Sequence, residues 1–127
     1  MTRLLWIWGP AVVQMIVIFV ASAIPDLQSL PGDVSDHTGH FLGYGLLGAL
    51  VLRAIARGRW DGLTPGAAAL AWVLCAVYGV TDEWHQHFVP GRSPTVDDWI
   101  ADALGAATAI AGLLAISAVR RRRSRAV

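Results

Sequence analysis

Residues Trp99–Val119 read WIADALGAATAIAGLLAISAV, an apolar run broken by one charged residue, Asp102, and followed at once by Arg120–Arg123. A helix rises about 1.5 Å per residue and a bilayer core is about 30 Å thick, so a run of this length can cross a membrane. Three further apolar runs precede it: Leu4–Ile24, His40–Ala56 and Pro65–Val80. The first is long enough to span. The middle two reach that length only when extended through Asp36 at one end and Glu83 at the other, which puts charged residues at the membrane rim. Turn-forming residues separate the runs: Pro25 with Pro31-Gly32, Gly58 with Thr64-Pro65, and Pro90-Gly91. The expected fold is all-α, an integral membrane bundle of four transmembrane helices forming a single domain over residues 1–127.

Composition agrees with that reading. A chain of 127 residues that is 55% hydrophobic and 15% charged is too apolar for an ordinary soluble domain and too short for two. The single cysteine, Cys75, excludes an intramolecular disulfide and sits in an apolar run, as a small core residue does. No basic nucleic-acid-binding domain, Gly-rich phosphate loop or nucleophile turn is present, which argues against nucleic-acid recognition and nucleotide-dependent chemistry. The first run also has the outline of a signal peptide, with Arg3 before it and Ala21-Ser22-Ala23 at its end. It is longer than the usual apolar segment of roughly 7–15 residues, and it carries Trp6 and Trp8 where an interface would fall, so a retained helix is expected.

Charge orients the bundle. Lysine is absent, and Arg3, Arg53, Arg57, Arg59, Arg120–Arg123 and Arg125 all fall on one side of the four-helix scheme. The positive-inside rule makes that side cytoplasmic, with both termini there and Gln28 and Ser93 outside. The tail 120–127 then serves as a topology anchor that attracts anionic lipid. The opposite side receives Asp26, Asp33, Asp36, His37, His40, Asp82, Glu83, His85, His87, Asp97, Asp98 and Asp102, with Arg92 as its lone arginine.

Those polar residues fall at helical spacing. Asp36, His40 and Tyr44 are four apart, as are Tyr78, Asp82 and Gln86, and Asp98 and Asp102; each set lines one helix face, and Leu47 continues the first. Ionisable groups at membrane depth are costly unless paired or facing water, so the three stripes point to one site. Several residues have simpler roles. Thr95 can cap the fourth helix, with Asp97 and Asp98 in its first turn. Pro90-Gly91 makes a turn with Gly91 at positive φ, and His87 and Asp33 read as solvated loop residues. The small residues Gly45 and Ala49, and Ala101, Gly105 and Ala109, allow close helix approach. Trp84 and Trp99 suit the headgroup boundary.

The segments SAIP (Ser22–Pro25), SDHTGHFLGYGLLG (Ser35–Gly48) and YGVTDEWHQHFVPGRSPTVDDWIADALGA (Tyr78–Ala106), in this order, resemble the VanZ-like membrane proteins over roughly residues 22–112. The resemblance implies a small multi-pass protein of the bacterial cytoplasmic membrane, in a family whose founding member is linked to low-level teicoplanin resistance. Its pattern falls on Asp36, His40, Tyr44, Asp82, Glu83, His85, Gln86, Arg92, Asp98 and Gly105. The family often has Lys where His37 stands and Asn where Asp102 stands. Resistance is not inferred for this chain, since the genomic context that gave the family its name is not in the sequence.

A site of this composition suits a phosphate-bearing envelope lipid or lipid-linked cell-wall precursor, with Arg92 offering a bidentate fork. In an enzyme, His40, Asp82, Asp98 and Asp102 are the candidate catalytic groups and Asp36, Tyr44, Glu83, His85, Gln86 and Arg92 the binding groups, with His40 and Asp82 as an acid and base pair. In a lipid-binding protein the same groups only hold the headgroup, and in a structural or partner-binding bundle they join helices. Asp82, Glu83, His85, His87 and His40 supply enough ligands for a divalent metal. However, Glu83-x-His85 is not the His-Glu-x-x-His spacing, so the sequence argues only weakly for one.

Overall fold

The computed structural model describes residues 2–25, 29–30, 34–60 and 63–125. Asp26, Gln28, Asp33 and the Pro31-Gly32 turn lie outside the described residues. Four helices carry the chain: α1 (Thr2–Ser22), α2 (Asp36–Ile55), α3 (Pro65–Gln86) and α4 (Val96–Arg125). Each is long and apolar enough to cross a membrane. Between α1 and α2, Ser29–Leu30 (β1) pairs antiparallel with Val34–Ser35 (β2). This small ribbon is an addition to the all-helical expectation, because hydropathy registers spans and is blind to two-residue pairings.

The helix ends are set by caps, which is why the middle helices outrun their apolar stretches. The Ser35 hydroxyl accepts from Thr38 N–H at 3.3 Å and starts α2, with Asp36 in the first turn where the helix dipole favours an acid. At the other end Arg57 and Gly58 take positive φ (58° and 81°), and Gly58 N–H reaches the Arg53 carbonyl at 2.8 Å. Thr64 caps α3 by accepting from Ala67 N–H at 3.1 Å, ahead of Pro65 at a first-turn position suited to proline. Thr95 does the same for α4, accepting from Asp98 N–H at 3.1 Å, after a turn in which Gly91 has φ 73°. The last helix runs on past Val119 to Arg125, since arginine is a good helix former and cations suit a helix C-terminus.

Cross-helix contacts show the helices alternating in direction. At one end the Arg53 guanidinium lies 5.6 Å from the Trp6 ring centroid, and Arg121 donates to the Leu63 carbonyl at 3.1 Å. At the other end Ser22 of α1 meets Asp82 of α3, and His40 of α2 meets Asp102 of α4. The second helix packs on all three others and most extensively on α4. Small residues make that approach possible, as their spacing predicts. A Cβ on Gly48 would stand 3.0 Å from Ala106 Cα, one on Gly45 would meet the Gly105 carbonyl at 3.4 Å, and one on Gly105 would collide with the Phe41 backbone. The core comprises Leu47, Leu52, Ala71, Cys75 and Ala106 among others. Large apolar side chains such as Val13, Val77, Leu104 and Ile116 face outward while Asp82, Asp98 and Asp102 are buried, an inversion that fits a lipid surround.

Candidate functional site

The three polar stripes converge at the end of the bundle where α1 and α3 finish and α2 and α4 begin. His40, Tyr44, Asp82, Gln86, Asp98 and Asp102 are all buried there. His40 Nδ1 is hydrogen-bonded to Asp102 Oδ1 at 2.8 Å, and its Nε2 lies 3.9 Å from Asp36 Oδ1 one turn earlier on α2. Arg92, from the turn before α4, donates from Nη1 to Asp36 Oδ2 at 3.2 Å. Asp82 Oδ2 accepts from Ser22 Oγ at 2.8 Å and from Gln86 Nε2 at 3.4 Å. Glu83 Oε2 accepts from Thr95 N–H at 3.0 Å, tying α3 to the start of α4, while its Oε1 lies 4.0 Å from His40 Nδ1. Asp98 Oδ2 accepts from Thr95 Oγ1 at 2.7 Å, and its Oδ1 sits 2.7 Å from His37 Nδ1.

A cavity of about 220 Å³ opens beside this cluster between α1 and α2. Ser22, Asp36, His40, Tyr44, Asp82 and Arg92 line it, together with the apolar Val17, Ile18, Ala21 and Gly43. A second hollow of about 270 Å³ lies beyond, bordered by Asp36, His37, Gln86, Arg92, Ser93 and Asp98. The Asp36–Arg92 ion pair borders both. The first helix is held against this region by Gln14 Nε2 donating to the Gly43 carbonyl at 3.1 Å and Tyr78 Oη donating to the Met15 carbonyl at 2.7 Å.

Most of the residues expected from sequence therefore meet: Asp36, His40, Tyr44, Asp82, Glu83, Gln86, Arg92, Asp98 and Asp102. His85 stands aside, its ring stacked on Phe19 with centroids 4.1 Å apart. His87 is exposed, as a loop residue should be. His40 and Asp82 border one cavity, but each has another partner: His40 bonds Asp102, and Asp82 bonds Ser22. The metal-ligand groupings differ from the string Asp82-Glu83-His85-His87. Among the described residues, two triplets bring their ligand atoms within 4.8 Å, His40 with Glu83 and Asp102, and His40 with Asp36 and Asp98. Ser22 and His37 were not counted among the site residues. Ser22 had a readable signal, for it falls on the buried face of α1 with Ile7, Ala11 and Ile18, at spacings of 4 and 7.

Four alternating apolar helices around a buried polar cluster define a multi-pass membrane protein. A protein-family model described as VanZ/LLP1 matches residues 12–118, and the chain belongs to that family. No curated protein and no solved structure matches it.

Proposed function

We propose that this protein resides in the bacterial cytoplasmic membrane with both termini inside, and that its polar site receives the headgroup of a phosphate-bearing envelope lipid or lipid-linked cell-wall precursor. One observation carries the reading: the cavity between α1 and α2 brings the ionisable Asp36, His40, Asp82 and Arg92 together with the apolar Val17, Ile18 and Ala21, which matches an amphipathic ligand better than a wholly polar one. Arg92 is the group that meets phosphate, its guanidinium exchanging Asp36 for phosphate oxygens. Four crossings return the chain to its starting side, and the arginines at that end set it inside.

The topology is tested by cysteine labelling in a Cys75→Ser background. Ser93→Cys should label from outside and Arg57→Cys only after permeabilisation; the opposite pattern inverts the assignment. Headgroup binding is tested by native mass spectrometry with a panel of phospholipids and undecaprenyl-phosphate-linked precursors. Losing charged hydrogen bonds should weaken retention by about tenfold or more in Arg92→Ala. Arg92→Lys, which keeps the charge but loses the fork, should fall between. Equal retention by wild type and Arg92→Ala, with unchanged melting, sinks the assignment of Arg92.

A second reading, catalysis on that headgroup, is favoured by the His40–Asp102 pair. A buried carboxylate bonded to Nδ1 fixes the ring and leaves Nε2 toward the cavity-lining Asp36, the arrangement of an oriented general base. The same incubations distinguish the two. Product that forms with wild type and disappears with His40→Ala supports catalysis, and binding without product under any condition leaves a lipid-binding protein.

A further inference from the structure

We infer that His40, Glu83 and Asp102 form a binding site for a divalent transition metal, of the class of Zn²⁺ or Mn²⁺. Their ligand atoms, one from each of α2, α3 and α4, all lie within 4.8 Å of one another. Ligands at about 2.0–2.2 Å from an ion lie up to about 4 Å apart, so closure takes a movement of about 1 Å or less. His40 Nδ1 and Asp102 Oδ1, hydrogen-bonded at 2.8 Å, open to about 3.3 Å to flank an ion that takes the place of the proton between them.

A second observation is independent of that spacing. Among the described residues, Asp102 Oδ2 and Asp82 Oδ1 have no hydrogen-bond partner although these residues are 0% and 2% exposed, and the hydroxyl of Tyr44, 1% exposed, has none either. Asp82 and Tyr44 border the same cavity as His40, while Asp102 Oδ2 lies on the Gly79 side of the cluster. Unpartnered carboxylate oxygens at membrane depth are costly, and a cation is the partner that satisfies several at once. Asp36, Asp82, Glu83, Asp98 and Asp102 gather at this end beside one guanidinium, that of Arg92.

The donor chemistry narrows the ion. One imidazole with two carboxylates suits Zn²⁺ or Mn²⁺, whereas Ca²⁺ and Mg²⁺ favour all-oxygen shells. The alternative grouping of His40 with Asp36 and Asp98 is less suited, because Asp36 is engaged by Arg92 and Asp98 by Thr95 and His37. In the lipid-binding reading, the ion also gives phosphate a positive partner that an excess of carboxylates otherwise denies it.

The experiment is a lipid-free titration of chelator-stripped protein in detergent with Zn²⁺ and with Mn²⁺, read by calorimetry and elemental mass spectrometry. Wild type should take up about one equivalent of one of them and melt at a higher temperature when loaded. Outer-sphere losses alone weaken metal sites roughly 10- to 100-fold, so removing a direct ligand in Asp102→Asn or Glu83→Gln should weaken binding at least about 100-fold. Asp97→Asn and His87→Ala, at exposed positions, should bind as wild type does. The Glu83 side chain is 12% exposed against 0% for Asp102, so Glu83→Gln decides the matter if Asp102→Asn does not fold. Uptake far below one equivalent by wild type, or equal uptake by wild type and Glu83→Gln, overturns the site. Because no lipid is present, that failure leaves the headgroup reading intact, and loss of lipid retention alone leaves the metal site intact.

Discussion

Gly105→Val should destroy the folded bundle or destabilise it by more than about 3 kcal/mol, at the upper end of what overpacking costs, whereas Gly112→Ala should be neutral or slightly stabilising. The two glycines are one helical heptad apart on α4 and differ in what a side chain would meet. At Gly105 a Cβ runs into the backbone of Phe41 on α2, so no rotamer change relieves the overlap and the helices must separate. At Gly112 a Cβ meets nothing within 4 Å, so alanine only improves helix propensity. Separation of α2 from α4 also pulls His40 away from Asp102, so the effect should reach the site and not only stability. Reversible unfolding in mixed detergent micelles, followed by circular dichroism, reads both variants. A Gly105→Val protein within about 0.5 kcal/mol of wild type, the usual range for surface substitutions, means the close α2–α4 approach is not required.

The spans and the stripes were legible in the sequence for a common physical reason: both are periodic. A bilayer imposes length on apolar runs, and a helix imposes intervals of four on residues that share a face, so Asp36, His40 and Tyr44 could be aligned without coordinates. The family likeness, too, rested on polar residues in sequence order, and the match over residues 12–118 bears it out. What periodicity cannot give is the rotation and depth of one helix against the next. Those decide that His40 meets Asp102 and not Asp82, that Ser22 reaches Asp82 across 60 residues, and that Arg92 falls on Asp36. Helix face separates Glu83, which joins Asp102 at His40, from His85, which lies two residues and about 200° further round α3 and stacks on Phe19. The ribbon and the helical arginine tail escaped because caps and short pairings leave no mark on hydropathy.

Asp102→Ala, measured on metal-free protein, should cost about 3–5 kcal/mol, the range found when one partner of a buried ion pair is removed. Asp102 is wholly buried and its Oδ1 is the hydrogen-bond partner of His40 Nδ1, so alanine leaves that nitrogen with Glu83 Oε1 at 4.0 Å, beyond hydrogen-bond reach, and leaves a void as well. Asp97, exposed in the first turn of the same helix, is the control: its loss should cost no more than about 1 kcal/mol, the worth of an acid at a helix N-terminus. If Asp97→Ala and Asp102→Ala destabilise equally, the pair is not a buried interaction at all. The more informative variant replaces both partners, His40→Leu with Asp102→Leu. Well-packed apolar residues often equal or exceed a buried ion pair in stability, because the desolvation cost of the charges disappears with them. If the polar cluster exists to join helices, the double variant should remain less stable than wild type. If it exists to hold a ligand, the double variant should unfold at least as reluctantly as wild type while losing metal uptake and lipid retention together. Stability sacrificed for polarity inside one end of a membrane bundle is what selection for a site, and not for a scaffold, leaves behind.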